Sequence, residues 1–276
     1  MASSITKITP IVLTIAGSDS GGGAGIQADI KAISATGSYA CSVLTALTAQ
    51  NTQGVTGIYP VTPEFVEQQL DAVFTDLNVV AVKVGMLSDS NVIKAVAGKI
   101  RQYQPKHLVV DPVMVATSGD LLLEHSAIDT LKSELLPLAD VITPNLPEAA
   151  ALLNVEVPST EKQMDELVTQ LRELGAKSVL LKGGHLENEE QSTDLLIDDS
   201  SVIRLSTARV ATNNTHGTGC TLSSATASYL AQGESLNQAV QQAKNYITQA
   251  LKHADELDIG KGYGPVHHFF DGHQNA

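Results

Sequence analysis

The chain opens its first recognisable unit with Ile11-Val12-Leu13-Thr14-Ile15-Ala16, which runs directly into Gly17-Ser18-Asp19-Ser20-Gly21-Gly22-Gly23-Ala24-Gly25. The first six residues have the length and composition of a buried strand. The glycines form a turn, and a helix-period segment, 26–36, follows. Strand, glycine turn and helix in that order begin an α/β sheet. The alternation then repeats. Apolar runs at 79–84, 108–110, 141–142 and 179–181 have strand length. Several are apolar on both faces, as parallel strands covered by helices are. Helical periodicity fills 63–77, 90–102, 127–136, 161–174, 221–231 and 236–254. These spans predict an α/β fold, a three-layer α/β/α domain with a central mostly parallel sheet and right-handed crossovers. The polar, acidic stretch 187–201 reads as an exposed hairpin or loop. No repeat or long linker divides the chain, so residues 1–276 are expected to form one domain.

Composition narrows the function classes. With 276 residues, 43% hydrophobic and 17% charged, the chain can bury a sizeable core. Aromatics are 4%, tryptophan is absent and the net charge is −13. A stacking platform for bases is therefore not expected, and a polyanion such as nucleic acid or an anionic membrane is repelled. A small phosphate ligand is still possible, because backbone amides and one lysine suffice to hold it. Two cysteines, Cys41 and Cys220, make neither a disulfide scaffold nor a zinc site. No stretch approaches the roughly 20 apolar residues of a membrane span, and 11–16 is too short for a signal core. A cytoplasmic, reducing location is expected.

Ligands of such sheets sit beyond the carboxyl ends of the strands. The residues found there are Gly17-Ser18-Asp19, Gly85-Met86, Asp111-Pro112, Thr143-Pro144-Asn145 and Lys182-Gly183-Gly184-His185. The glycine loop after the first strand is not a Walker A loop, because no Gly-Lys-Ser/Thr follows. It is not the dinucleotide fingerprint either, because Ile26 stands where the third glycine belongs. Alone, it is equally compatible with a tight turn.

Asn214-Thr215-His216-Gly217-Thr218-Gly219-Cys220 enters the helix that starts near Thr221. Amides of Gly217, Thr218, Gly219 and Cys220 at a helix start form an anion pocket, as phosphoryl transfer needs. The same field is expected to depress the Cys220 thiol pKa, making it a proton acceptor. A glycine turn followed by a buried cysteine is the other reading. Asp111 and Glu148 are candidates to hold Mg²⁺ through waters, although a strand-end turn and a first-turn helix acid would account for them structurally. Lys182 ends a buried-looking strand, where an ammonium calls for an anion such as phosphate. Cys41 reads as core. His185 reads as a loop residue, and Met86 as core or as a surface for a flat ring. The tail His267-His268-Phe269-Phe270-Asp271-Gly272-His273 is not expected to bind metal, because adjacent histidines rarely face one ion.

Read together, these blocks resemble the ribokinase-like superfamily, and within it the hydroxymethylpyrimidine/phosphomethylpyrimidine kinases of thiamine biosynthesis. The resemblance extends over about residues 11–270. It rests on the stretch 16–29, on Thr48-Ala49-Gln50-Asn51-Thr52, Lys83-Val84-Gly85-Met86-Leu87, Asp111-Pro112-Val113-Met114, Thr143-Pro144-Asn145-Leu146-Pro147-Glu148-Ala149, Lys182-Gly183-Gly184-His185 and 214–220. Gly262-Tyr263-Gly264-Pro265-Val266-His267-His268-Phe269 completes it. The resemblance implies an ATP-dependent kinase that phosphorylates hydroxymethylpyrimidine and then its monophosphate. It assigns the aminopyrimidine to Asp29 and Gln50 at its edge, with Gly17, Met86 and Val113 against the ring. Cys220 stands at the base position, where most sugar kinases of the superfamily carry aspartate. Asp111, Asn145 and Glu148 handle Mg²⁺ and its waters, Lys182 contacts the transferring phosphate, and Lys244 lies near the nucleotide. A homodimer is implied, and no fused domain is expected after the last block.

The nearest competing reading is a pyridoxal or pyridoxine kinase of vitamin B6 salvage, whose substrate is also a flat heteroaromatic with a hydroxymethyl arm. A non-catalytic vitamin-precursor binder has no use for Cys220, Asp111, Glu148 and Lys182 together. A cysteine hydrolase would want a histidine aimed at Cys220, and His216 is poorly placed for that.

Overall fold

The computed structural model describes residues 9–114, 127–186 and 190–272. The first strand, β1 (Ile11–Asp19), outruns its apolar pattern because its polar end still pairs, Ser18 with Leu47 and Asp19 with Thr48 of β2 (Tyr39–Asn51). β2 escaped the sequence reading. Its alanines, serine and threonines never form a contiguous apolar run, so neither periodicity marks it. It folds back on β3 (Gly54–Pro60) as an antiparallel ribbon. β4 (Val79–Val84), β5 (His107–Val110), β6 (Val141–Ile142) and β7 (Val179–Leu181) occupy the expected places.

Of the exposed hairpin or loop expected at 187–201, the hairpin is what forms: β8 (Gln191–Ile197) pairs antiparallel with β9 (Val202–Ala208), but β8 is also antiparallel to β7 and largely buried rather than exposed. Residues 187–189 lie outside the described set. The polar start of β8 hides Leu195, Leu196 and Ile197, which are buried. The sheet order is β3-β2-β1-β4-β5-β6-β7-β8-β9. Its centre is parallel and its two margins are antiparallel, as in a mixed sheet.

The helices are α1 (Gly25–Ala35), α2 (Pro63–Phe74), α3 (Ser90–Tyr103), α4 (Ile128–Thr130), α5 (Leu146–Leu153), α6 (Glu161–Glu166), α7 (Val168–Arg172), α8 (Thr218–Ala231) and α9 (Leu236–Lys252). α1, α8 and α9 bury one face of the sheet around Val12, Ile33, Val109, Leu222 and Val240. α2 to α7 bury the other around Leu13, Leu70, Val96, Leu135 and Leu146. The three-layer α/β/α reading is thus the observed architecture.

Two helix expectations change. The segment 161–174 breaks at Leu167 into α6 and α7. The segment 127–136 runs from α4 into a π turn (Leu131–Leu135) and then a 3-10 turn (Leu136–Leu138) that contains Pro137, which has no amide to continue the helix. α5 is not among the helix-period spans, although the alternative reading of Glu148 as a first-turn helix acid implies it, and Glu148 does stand in its first turn. Its start is fixed by a capping box, with the Glu148 amide donating to Asn145 Oδ1 at 2.8 Å and the Asn145 amide donating to Glu148 Oε2 at 2.8 Å.

Candidate active site

The carboxyl ends of the parallel strands open onto a cavity of about 720 Å³. Every residue assigned to the site from sequence lines it except one. Gly17, Gln50, Met86 and Val113 share its wall with Asp111, Asn145, Glu148 and Lys182, and Gly217, Thr218, Gly219 and Cys220 also line it, with Gly219 beside Lys182 and Asp111. Lys244 lies toward the far end. The exception is Asp29.

The turn before α8 is held against the glycine loop after β1. Gly217 has φ +83°, a left-handed conformation that favours glycine, and a Cβ there would fall on the Gly23 carbonyl. Asp19 ties the two loops together. Its carboxylate accepts from the amides of Gly21, Gly23 and Ala24, and His216 Nε2 sits 2.9 Å from its Oδ2. Burial opposes ionisation of Asp19, but His216 and the amides outweigh it and hold the carboxyl below its usual range. The expected amide pocket is narrower than the sequence suggested, because Thr218 spends its amide on the Thr215 carbonyl. Among the described residues, no backbone carbonyl accepts from the amides of Gly217, Gly219 and Cys220, so these remain for an anion. A Cβ on Gly219 would stand 3.2 Å from Lys182 Nζ, so the amides and the ammonium face the same space.

Lys182 is the hub of that space. Its Nζ lies 2.8 Å from Asp111 Oδ1 and 3.9 Å from Glu148 Oε2. Thr143 Oγ1 donates to Asp111 at 2.9 Å. Burial raises the Asp111 pKa, but Lys182 and Lys83 outweigh it and keep the group ionised below its ordinary range. Glu148 goes the other way: burial, with the Asp111 charge added, pushes it up to about 7 against the pull of Lys182. Among the described residues, no group of three or more His, Cys, Asp or Glu forms a closed metal cage. Two buried carboxylates beside a phosphate-sized space nonetheless suit magnesium, a hard cation that takes one or two carboxylates and completes its shell with water and phosphate oxygens.

Two sequence expectations need correction. The Cys220 thiol is not depressed; burial pushes it up to about 11, although Lys83 and the Gly25 amide favour the thiolate. Desolvation outweighs the field of the helix start. Asp29 is fully buried beneath the cavity floor and does not line it. Its oxygens accept from Lys83 Nζ (2.9 Å to each), from Thr14 Oγ1 (2.5 Å) and from Ser224 Oγ (2.7 Å), leaving no free edge for a substrate amino group. The residue that does reach the cavity there is Lys83. The sequence carried its signal: it is the one charged residue in Val79–Val84, a strand buried on both faces.

At the other end, Lys244 donates to Asp194 at 2.7 Å and to the Ser192 carbonyl at 3.1 Å. Arg209 lines the same end and donates to the carbonyls of Gly184 and Leu186. Asp194 was missed because 187–201 read as an exposed hairpin or loop, and Arg209 because it follows β9, a strand the apolar pattern does not mark. His185 also lines the cavity; burial, with Lys182 and Arg209, lowers its pKa. The tail histidines are structural. His268 Nε2 sits 2.9 Å from Thr221 Oγ1, and burial lowers its pKa to about 3. His273 lies outside the described residues. Cys41 packs against the core, as expected.

An ammonium shared by two carboxylates and facing open amides at a helix start, at the strand ends of a three-layer α/β fold, has the character of a phosphotransferase site. Comparison with known proteins makes this specific. Residues 19–267 match the family model for phosphomethylpyrimidine kinase, and the chain belongs to that family of phosphotransferases. It is 53% identical to the hydroxymethylpyrimidine/phosphomethylpyrimidine kinase of Rhizobium meliloti (strain 1021), over 95% of this chain and 98% of that protein. Among solved structures it resembles the phosphomethylpyrimidine kinase of Clostridium difficile 630, with 43% identity, TM-score 0.78, and coverage of 88% and 100% of the two chains. It also resembles the ADP complex of Bacillus subtilis pyridoxal kinase, with 35% identity, TM-score 0.87, and coverage of 95% and 98%. Among the described residues, no helix is long and apolar enough to cross a membrane.

Proposed function

We propose that the chain transfers the γ-phosphate of ATP to hydroxymethylpyrimidine and then to its monophosphate, in thiamine biosynthesis. The observation that carries this reading is that Cys220, Lys182 and the ring slot of Gly17, Met86 and Val113 share one cavity. Gln50 presents an amide at the edge of that slot, suited to an amino group and ring nitrogens. The ring lies on Met86, whose sulfur fills the space a side chain on Gly17 would need. Asp29 serves the slot through Lys83 rather than by direct contact.

In the first transfer, Cys220, once its thiol has given its proton to solvent, accepts as thiolate the proton of the hydroxymethyl group while the substrate oxygen attacks the γ-phosphorus. The bond to the bridging oxygen breaks, and its electron pair leaves with ADP. Lys182 and the amides of Gly219 and Cys220 hold the non-bridging oxygens, where charge collects. Lys244 and Asn145 border the nucleotide. Asp111 and Glu148 would hold Mg²⁺ through waters, and the ion supplies charge neutralisation of the phosphates when bound. In the second transfer the nucleophile is a phosphate oxygen that is already ionised, so Cys220 has less to do.

The whole chain acts as one kinase domain in this reading. Both cysteines are free thiols, which suits the reducing cytoplasm. A homodimer is favoured by the β2–β3 ribbon, which exposes Leu47 of β2 and Ile58 and Tyr59 of the edge strand β3. Sedimentation of Tyr59→Asp as a monomer, beside a dimeric wild type, is the expected result.

The test of function is to incubate the protein with Mg-ATP and each alcohol and count phosphates added per molecule. Two on hydroxymethylpyrimidine and few on pyridoxal are expected. Faster turnover of pyridoxal would transfer the enzyme to vitamin B6 salvage.

A further inference from the structure

Gln50 enters the cavity from an irregular point of the ribbon. The register of β2 with β3 shifts between Ala49 and Gln50, and a bulge of this kind re-aims a side chain. The main chain there is clamped to the glycine loop. The Gln50 amide donates to Ser20 Oγ at 2.8 Å, and that hydroxyl donates to the Gln50 carbonyl at 2.7 Å. The side-chain amide of Gln50 lies between Thr48 and His216, and all three residues line the cavity. Its Oε1 is 3.0 Å from Thr48 Oγ1, and its Nε2 is 3.5 Å from His216 Nε2.

Counting hydrogens decides which end of the amide belongs on which side. A threonine hydroxyl has one hydrogen. Thr48 gives it to the Ser18 carbonyl at 2.8 Å, so toward Gln50 the hydroxyl can only accept. His216 Nε2 stands 2.9 Å from Asp19 Oδ2. That carboxylate accepts from three backbone amides, so the imidazole N–H donates to it. An acceptor on one side and a donor on the other call for the amide NH2 toward Thr48 and the amide oxygen toward His216. A half-turn of the amide moves no neighbouring atom and gives each contact one donor and one acceptor.

We infer that Thr48 is a positioning residue that fixes the Gln50 amide in this sense, so that the slot selects a ring edge with an acceptor nitrogen beside a donor amino group. The inference rests on the function proposed above and sharpens it. A carboxamide pairs with such an edge through two hydrogen bonds, as it does with the edge of adenine. With the sense of the amide fixed, the ring enters one way round, its amino group on the His216 side. Pyridoxal has no ring nitrogen beside its hydroxyl and cannot make both bonds.

The test compares hydroxymethylpyrimidine with its oxo analogue, in which a ring N–H beside a carbonyl reverses the pattern of that edge. The kcat/KM of each is measured for wild type, Thr48→Val and Thr48→Ser. Wild type should favour the amino compound by about a hundredfold or more, because the reversed edge leaves polar groups of the site unpaired. Thr48→Val keeps the shape and removes the hydroxyl, and the ratio should narrow by about tenfold, the effect of one hydrogen bond. Thr48→Ser keeps the hydroxyl and should hold the wild-type ratio within about threefold. Should Thr48→Val not reach the wild-type melting profile, Thr48→Ala carries the same comparison. General damage to the slot would lower both rates together, and a ratio left unchanged in this way overturns the inference. A wild-type ratio near one, which needs no variant, overturns it too. A wild type that phosphorylates neither pyrimidine overturns the functional reading as well. One that phosphorylates the amino compound, with a preference that loss of the hydroxyl does not alter, overturns the role of Thr48 alone.

Discussion

Two lysine–aspartate pairs stand near each other under the same strand ends, and they are built for opposite purposes. Lys182 and Asp111 meet at 2.8 Å at the cavity wall, with Lys182 partly open and Glu148 at 3.9 Å as a second partner. Lys83 and Asp29 meet at 2.9 Å in full burial, and Asp29 is saturated by Thr14 and Ser224. The first ammonium is shared loosely and can exchange a carboxylate for a phosphate. The second is locked and can only act as a fixed charge. Saturation of the partner, rather than the pairing itself, separates a working group from a permanent one.

The comparison is broken most severely by Asp29→Ala. It strands a buried ammonium, and a loss of about 3–5 kcal/mol in stability is expected from chemical denaturation. A loss below about 1 kcal/mol, the scale of exposed pairs, would show that the pair is solvated. Next comes Lys182→Met, expected to lower kcat of both transfers by about 10²–10³-fold, the worth of a lost donor to a developing charge. Its melting temperature should fall less than that of Asp29→Ala, because Asp111 keeps Thr143.

Smaller effects follow from pH. The Cys220 thiol stays protonated below about 11, so the thiolate fraction, and with it the first transfer, rises as pH rises from neutrality. The slope in log kcat should be about one per pH unit, and the second transfer should be flatter. Glu148 ionises near 7. Above that pH its carboxylate favours a cation, so the magnesium requirement should ease from pH 6 to 8 by a few-fold at most, about one carboxylate's share of the ion's ligands.

Much of this was legible before any coordinates. The parallel strands β4, β6 and β7 fall where their apolar runs lie, because strands buried on both faces leave continuous apolar runs. The site blocks were legible because turns after strands expose their chemistry as glycine, acid and lysine. What escaped follows one physical rule. β2 and β8 mix polar with apolar residues and β9 is largely exposed, so none stands out as an apolar run, and Asp194 in β8 and Arg209 just after β9 escaped with them. Asp29 was read as a ligand residue because its type suits an amino group. Only three-dimensional packing reveals Thr14, Lys83 and Ser224 already filling its oxygens. Burial also reverses the expected sign at Cys220, where desolvation exceeds the helix-start field.

The most direct measurement is the effect of Cys220→Ala on each transfer separately, followed by the rate of ADP release with hydroxymethylpyrimidine and with its monophosphate. A fall of about 10²–10⁴-fold on the alcohol, the range for a lost general base, with only a slight change on the monophosphate, is the predicted result. Equal loss on both substrates would contradict it.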